Sequence, residues 1–481
     1  MEKERKYFMA SSMQVVPVHK PKSMAFVLMF AAFIGLFSET ALNMALTNIM
    51  ADFAVSAATA QWLTTGYLLT IGILVPVSSL LIQWFSTKQL VVGSLIFSIL
   101  GTILAALAPN FPILLIGRII QAFGTGIILP LMMNVILLIF PIHKRGAVMG
   151  LMGLVITTAP AIGPTLAGLI VDSLNWSYIF WISLVFYAAL VIAGLKQIDN
   201  VSTITKPAID VFSIILSTLG FGGFIYSLST VSEKSFASAT VYLPFIVGLV
   251  AIILFAIRQF KMKQPMINLR TFKYPMFTLG TLLLFSGMLL ILSTAILLPM
   301  YLKGSLLFSA TVAGLILLPG SAMNAVLSPV VGKLFDQFGA KKFLPLGFLL
   351  TFSASLLFIF TISAHTPVWQ IILANTIFFI GISMIIMPAQ TNGLNQLPRE
   401  LYADGAAVMS TLQQIAGGIG TALAITLMVS GQNKHMEQFQ NASLLELIAE
   451  GTKYAFFFIA AIALTGLVLS CFVNGKRVEK N

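Results

Sequence analysis

Long apolar stretches separated by short polar connections run along the whole 481-residue chain. Fourteen of them are long enough to cross about 30 Å of hydrocarbon as helices. They lie at 24–48, 59–82, 88–108, 112–139, 147–171, 178–196, 208–230, 240–257, 275–301, 307–331, 342–363, 367–392, 403–429 and 453–473. The pattern therefore predicts an all-α membrane protein with fourteen transmembrane helices.

Composition supports a membrane protein and excludes several other classes. The chain is 58% hydrophobic and 9% charged, whereas a soluble chain carries about 25% charged residues. The single cysteine, Cys471, excludes a disulfide framework and any multi-cysteine metal site. All four histidines fall in polar connections, which argues against a haem or zinc site within the membrane. We expect no metal and no cofactor.

The positive charges predict an orientation. If the N-terminus is cytoplasmic, 22 of the 27 Lys and Arg residues lie in predicted cytoplasmic segments, four in external segments, and Arg118 within a span. This asymmetry follows the positive-inside rule, so both termini are predicted to be cytoplasmic. The Lys and Arg residues lie in short clusters separated by apolar runs, and this distribution argues against nucleic acid as a partner. The first apolar run is longer than the apolar region of a signal peptide, so we expect the first span to be kept.

The two halves of the chain resemble each other. SSLLIQWFSTKQL (78–90) follows the second span, and SPVVGKLFDQFGAKKFL (328–344) follows the tenth. Internal repeats of this kind build rocking transporters, so we expect two six-helix bundles with a pseudo-two-fold relation plus two extra central helices. The predicted units are an N-terminal tail (1–23), an N-terminal bundle (24–196), the two extra helices (197–257), a linker (258–274), a C-terminal bundle (275–473) and a C-terminal tail (474–481). The basic linker suits either a segment lying on anionic headgroups or an ordinary connection.

The second copy of the repeated connection has the composition of a tight cytoplasmic turn. Its residues Gly332, Asp336, Gly339, Lys341 and Lys342 follow a G-x-x-x-D-x-x-G-x-K-K spacing. Glycine permits a sharp reversal between helix ends, and basic residues stay on the cytoplasmic face. The carboxylate can cap a neighbouring helix or pair with a base. We therefore predict a gating loop that latches one conformation.

Two further motifs lie in the fourth and fifth spans. LIGRIIQAFGTGIILP (115–130) combines a buried Arg with a face of small residues, and GLMGLVITTAPAIGPTLAG (150–168) contains Gly150, Gly163, Pro164 and Gly168. Small residues let neighbouring helices approach closely, and proline kinks a span. Gly and Pro are common in membrane helices, so a single Gly or Pro would not identify a motif. The complete spacing of these residues within the fifth span is a specific signal.

Together these motifs resemble the major facilitator superfamily, and within it the fourteen-span drug:proton antiporters. The chain is most similar to lincomycin-resistance-type and other Gram-positive multidrug exporters. The resemblance implies that the helix carrying Gly163-Pro164 sets the direction of coupling. The chain departs from the family in its first repeated connection, where Ser79, Gln83 and Ser86 replace Gly, Asp and Gly. It also departs in the first span, where Ser38 stands in the place of the usual Asp and the acid is Glu39.

Glu39 is the only acidic residue predicted deep inside a span, where insertion costs about 2.5–3.5 kcal/mol. From the helix rise, it lies about 10–13 Å below the outer surface and Arg118 about 9 Å. An acid and a base at matching depth are candidates for a pair. Arg118 nearby favours the carboxylate, and desolvation without it favours the protonated form, so we predict that Glu39 couples transport to protons and Arg118 tunes it. The alternative is a static ion pair between helices.

Other polar residues also lie within the predicted spans. They include Asn43, Gln121, Thr125, Asn134, Thr157, Thr158, Asn324, Asn375, Gln390, Asn392, Gln413 and Gln414. Asn43 lies four positions after Glu39, and Gln121 and Thr125 lie three and seven after Arg118, so helical periodicity places these three nearest the charges. We predict that they line the cavity; hydrogen bonding between helices is the alternative. Asp210, near the inner surface, is a secondary acid.

The resemblance, together with the intramembrane Glu39, implies a proton-coupled multidrug efflux antiporter of the bacterial inner membrane that works by alternating access. The expected partners are neutral or monocationic amphipathic drugs, protons and membrane lipids, and we expect a monomer. The chain has no P-loop, no HExxH motif and no intramembrane His/Asp cluster, so an enzyme is not expected. Export of a native lipid or lipid-linked metabolite is the alternative function.

Overall fold

The computed structural model describes residues 18–140, 142–201, 204, 206, 210–230, 238–262, 265, 268–398, 401–439 and 442–473. These residues form fifteen α-helices and a short 3-10 helix, with no strand among them. The helices are α1 Pro21–Phe53, α2 Ala57–Trp84, α3 Thr87–Ala106, α4 Phe111–Ile139, α5 Ile142–Ser173, α6 Tyr178–Gln197, α7 Val211–Thr230, α8 Ala239–Lys261, the 3-10 helix Leu269–Lys273, α9 Pro275–Gly304, α10 Ala310–Phe338, α11 Ala340–Thr361, α12 Val368–Ser383, α13 Ile386–Leu394, α14 Tyr402–Gln438 and α15 Leu444–Ser470. The prediction of an all-α protein is confirmed.

Eleven helical segments among the described residues are long and apolar enough to cross a membrane, and three shorter apolar helices accompany them. The chain is therefore a multi-pass membrane protein. One of the eleven segments, Val368–Leu394, contains both α12 and α13. The helix is interrupted at Met384 and Ile385, one turn before Pro388. Proline has no N–H to donate to residue 384, and its ring crowds that carbonyl, which accounts for the break.

Local sequence signals set where several helices begin and end. Serine side chains cap α2, α3, α10 and α15, and in α3 and α15 a Gln or Glu three residues later completes a capping box. Helix α10 ends at Gly339, whose φ of 72° lies in the left-handed region that glycine adopts without strain. The predicted tight turn between α10 and α11 therefore has the backbone that its glycine suggested.

Two groups of connections define the ends of the molecule. At one end, here called proximal, the backbone N–H of His19 donates to Asp199 over 2.9 Å, which joins the start of α1 to the α6–α7 connection. At the opposite end, called distal, the indole N–H of Trp176 donates to Asp52 over 2.7 Å, which joins the α5–α6 connection to the end of α1. The α9–α10 connection is also distal, because α9 meets the end of α1 there.

The helices pack as two sets with a hairpin beside them. Helices α1–α6 contact one another and form the N-terminal set, and α9–α15 form the C-terminal set. The two sets meet mainly where α5 packs on α10 and where α2 packs on α14. Helices α7 and α8 form a tight hairpin, and α7 lies against both α2 and α14. The Tyr226 ring of α7 meets the Trp62 ring of α2 with centroids 5.5 Å apart.

Candidate functional site

A small cavity lies between the two sets of helices. Its volume is about 30 Å³, and its polar lining consists of Glu39 from α1, Gln390 from α13, and Ser410, Gln413 and Gln414 from α14. The remaining lining residues are Leu, Ile and Met. The cavity thus has a carboxylate on its N-terminal wall, amides and a hydroxyl on its C-terminal wall, and an apolar surface between them.

Two of these side chains are buried without a hydrogen-bond partner. Glu39 is 2% exposed and Gln413 is 6% exposed. Within the described part of the chain, neither the Oε2 atom of Glu39 nor the Nε2 atom of Gln413 has a partner. An unpaired buried polar group is costly, and an unpaired charge more so. Two of the side chains that line the cavity therefore each have an unused hydrogen-bonding atom.

Arg118 lies beside the cavity in a separate polar cluster. Its side chain is fully buried. Its Nη1 atom donates to the Ser38 hydroxyl over 3.0 Å and to the side-chain amide oxygen of Gln121 over 2.6 Å. The guanidinium carbon lies 4.1 Å from the centre of the Tyr67 ring, in a cation–π contact. The charge is thus held by neutral groups of α1, α2 and α4.

Glu39 and Arg118 do not form the predicted direct pair in this conformation. Between these two described side chains there is neither a hydrogen bond nor an ion pair. Successive helix positions are about 100° apart, so when Ser38 faces α4, Glu39 faces the cavity instead. In this chain Ser38 therefore contacts Arg118, and the acid, Glu39, lies on the cavity wall.

The three residues predicted to line the cavity take part in hydrogen bonds between helices. The Gln121 amide donates to the Thr102 hydroxyl over 2.9 Å. The Thr125 hydroxyl lies 2.7 Å from the Tyr67 hydroxyl. The side-chain amide of Asn43 accepts a hydrogen bond from the Thr64 hydroxyl of α2 and donates one to the backbone carbonyl of Ala295 in α9. In this conformation they join helices through hydrogen bonds, and their contact with substrate stays a prediction.

The sequence does not distinguish the amides of the C-terminal wall from other polar residues. Gln390, Gln413 and Gln414 stood out only as polar residues within spans. The one available signal was the adjacent pair of amides in an apolar stretch. Selecting them required knowing that α13 and α14 face α1 across the cavity.

The distal ends of the two sets are joined by two charged side chains. The Asp172 carboxylate of α5 accepts from the backbone N–H groups of Ala310, over 3.2 Å, and Thr311, over 2.6 Å, and so caps the start of α10. The Lys303 ammonium of α9 donates to the backbone carbonyl of Met44 in α1 over 2.7 Å. Each set thus contributes one charge to the backbone of the other, which joins the two sets at the distal end.

The predicted antiporter-motif helix corresponds to α5, and its glycines lie at close contacts. A methyl group at position 168 would lie 2.7 Å from the carbonyl carbon of Ala310 in α10, and one at position 163 would lie 2.5 Å from the Thr40 hydroxyl of α1. Conversely, a methyl group at position 314 of α10 would lie 2.7 Å from the Thr165 Cα atom. Pro164 lies within this face. The surroundings of Gly150 lie outside the described residues.

The predicted gating loop lies at the proximal end. The ammonium of Lys342 lies 5.3 Å from the centre of the Phe338 ring, and the side chain of Lys341 is exposed. A methyl group at position 332 would lie 3.3 Å from the sulfur of Met387, which also faces Gly153 of α5. The side chain of Asp336 lies outside the described residues, so its latch role stays a prediction.

Asp210 lies at the proximal end of the α7–α8 hairpin, outside the cavity. Its two carboxylate oxygens each accept from the guanidinium of Arg258, over 2.9 Å, and the carboxylate also accepts from the Ser213 hydroxyl. These hydrogen bonds from Arg258 lower the pKa of Asp210 to about 2. The predicted secondary acid is therefore bound to a base, and it stays ionised at neutral pH.

Comparison with known proteins agrees with this architecture. The model of the Major Facilitator Superfamily matches residues 28–421. The chain is 53% identical to the lincomycin resistance protein LmrB of Bacillus subtilis over 458 residues, which cover 94% of this chain and 95% of that protein. It is 52% identical to the LmrB protein of Listeria monocytogenes over 93% of this chain and 96% of that protein.

Solved structures show the same fold. A POT family transporter in complex with a thioalcohol-conjugated peptide superposes with a TM-score of 0.67 at 16% identity, covering 92% of this chain and 94% of that one. These similarities indicate a transporter rather than an enzyme. In bacteria such a multi-pass protein lies in the cell membrane. The chain belongs to the Major Facilitator Superfamily.

Proposed function

We propose that this protein is a proton-coupled multidrug antiporter that exports amphipathic drugs by alternating access. Its relatives are named for resistance to lincomycin and match nearly the whole chain. The observation that carries the proposal is the carboxylate of Glu39, which is buried, lacks a hydrogen-bond partner at Oε2 among the described residues, and faces a cavity between the two sets of helices. A group in this position can bind a proton or a positively charged drug.

We propose fourteen membrane spans with both termini in the cytoplasm. The eleven long apolar segments and the three shorter ones support this number, with α12 and α13 crossing together. The excess of Lys and Arg in the predicted cytoplasmic segments supports the orientation. The proximal end is then cytoplasmic and the distal end external. The α2–α14 and α5–α10 contacts lie where a pseudo-two-fold relation between two six-helix bundles would place them.

In this topology the structure is closed to the outside. Asp172 and Lys303 join the two sets at the external end, and the tight contact around Gly168 adds to this closure. A cavity of about 30 Å³ has room for water but not for a drug. Drug binding therefore requires the two sets to move apart, and release outside requires the external contacts to break.

Proton and drug compete for the same carboxylate in the proposed cycle. An amphipathic drug entering from the cytoplasmic side displaces the proton from Glu39, and the loaded transporter opens outward. A proton from outside then takes the place of the drug, and the protein returns. Arg118, which its contacts with Ser38 and Tyr67 hold nearby, favours release of the proton through its positive charge. The proton gradient drives this cycle without a cofactor, and one chain in its lipid surroundings suffices, since both walls belong to it.

The test is drug-induced proton release from purified protein, measured with a pH-sensitive dye and lincomycin as the drug. The wild type should release protons on adding lincomycin. Glu39→Gln should abolish this release and the export driven by a pH gradient, while thermal unfolding shows a folded protein. The exposed Glu437 provides the matched control, because Glu437→Gln removes an acid of α14 away from the cavity. Full proton release by Glu39→Gln would overturn the proposal.

A further inference from the structure

The two walls of the central cavity have opposite hydrogen-bonding capacity. On the N-terminal wall, once a drug has displaced the proton from Glu39, the ionised carboxylate can only accept hydrogen bonds. On the C-terminal wall, the Nε2 atom of Gln413 is a donor without a partner among the described residues. The helices that carry them, α1 and α14, belong to different sets.

We propose that Gln413 selects substrates by donating a hydrogen bond to an acceptor atom of the drug, and this assignment rests on the proposed function. The substrate class is an amphipath with a positively charged or N–H donor group for Glu39 and a carbonyl or hydroxyl oxygen for Gln413. A substrate of this class bridges the two sets. Cations that carry neither donor nor acceptor bind through apolar contact and charge alone.

The position of Gln413 beside the cavity, together with its unpaired amide nitrogen, supports a binding role over a packing role. Inside the N-terminal set, the buried side chains of Gln121 and Asn43 are bonded to groups of adjacent helices. Gln413 is also buried, yet its amide nitrogen has no hydrogen-bond partner among the described residues, and its side chain lines a cavity. Because an unmet buried donor is destabilising, an amide at this position has no benefit for folding. A ligand that accepts its hydrogen bond recovers that loss.

The apolar lining fits substrates of varied shape. Methionine side chains from both sets, Met132, Met133 and Met288, line the cavity between the two polar walls. Thioether side chains are flexible and polarisable, and they adapt to different apolar bodies. Selectivity between drugs therefore depends on the polar groups, and the apolar lining is shared by all of them.

The experiment measures equilibrium binding of two compounds to purified protein in lipid nanodiscs. Lincomycin carries an amine, an amide and several hydroxyls, whereas tetraphenylphosphonium is a monocation with no hydrogen-bonding group. Gln413→Leu should weaken lincomycin binding about tenfold, as expected for one lost hydrogen bond, and leave tetraphenylphosphonium unchanged. Gln61→Leu is the matched control, because Gln61 is a buried amide with an unpaired nitrogen that does not line the cavity. It should alter neither compound.

The outcomes separate this assignment from the proposed function. Unchanged lincomycin binding in Gln413→Leu, or an equal loss for both compounds, overturns the role of Gln413 while the wild type still exports drug. A loss of the same size in Gln61→Leu does so too. A wild type that binds neither compound overturns the assignment together with the function on which it rests. Leucine is similar in size to glutamine and removes an unpaired polar group, so the variant should fold.

Discussion

Replacing Gly168 by alanine should open the distal end of the transporter. The added methyl group would lie 2.7 Å from the carbonyl carbon of Ala310 and overlap its oxygen, where ordinary contact begins at 3.4 Å. The opposing atoms are backbone, so α5 and α10 must separate by about 0.7 Å or more. Overpacking of this kind costs about 1–3 kcal/mol. Since only the distally closed state contains the clash, the equilibrium should shift toward opening by about 5- to 150-fold.

The shift can be measured as a distance across the distal end. Leu174 and Leu307 are 57% and 69% exposed and lie in distal connections of opposite sets. Spin labels on cysteines at these positions, in a Cys471→Ser background that removes the exposed native thiol, report the separation by pulsed electron paramagnetic resonance. Gly168→Ala should increase the population with the longer distance.

A second glycine of α5 provides the control. A methyl group at position 153 would have the Met387 sulfur, 3.7 Å away, as its nearest neighbour, an ordinary contact with a flexible side chain. Gly153→Ala should therefore leave the distance distribution unchanged. If Gly168→Ala gave the same distribution as Gly153→Ala and the wild type, close packing of α5 on α10 could not be what holds the distal end closed.

Two further predictions concern acids near the ends and core of the helices. The pKa of Asp210 is about 2 in the folded state, below about 3.9 when unfolded, so its pairing with Arg258 stabilises the protein above about pH 4 and is lost as pH falls toward 2. The drop in melting temperature caused by Asp210→Asn should be equal at pH 7.5 and 5.5 and smaller at pH 3; a drop that disappears by pH 5.5 would contradict this. Ser38→Asp combined with Glu39→Gln should pair with Arg118, because Ser38 Oγ lies 3.0 Å from its Nη1, and should not restore drug-induced proton release. Restored proton release would mean that proton coupling does not require the carboxylate to lie on the cavity wall.

The general architecture could be predicted from the apolar runs and the placement of basic residues. The helices differ in length from the predicted spans. For example, α1 covers Pro21–Phe53, whereas a span at 24–48 was predicted. Caps and turns decide those ends, and hydropathy does not encode them. The span predicted at 367–392 is interrupted between α12 and α13, although Pro388 was a signal for the break.

The candidate site was predicted in part. Glu39 and Arg118 are both buried, as their setting in apolar runs indicated. Which side of α1 faces the cavity could not be read from the sequence, because a helix that is apolar all round has no amphipathic pattern. Ser38 and Glu39 are adjacent, and only the packing of α1 against α4 shows which one meets Arg118.

The α7–α8 hairpin makes the two flanks of the transporter unequal. A twelve-helix arrangement with pseudo-two-fold symmetry has two equivalent seams, α2–α14 and α5–α10. Here α7 lies along the first, with Tyr226 on Trp62 of α2 and Ile225 beside Gly418 of α14. Lipid tails that would otherwise touch this seam meet the hairpin. A molecule dissolved in the bilayer therefore meets the α7–α8 hairpin on the side of the α2–α14 contact. On the opposite side it meets the α5–α10 contact itself.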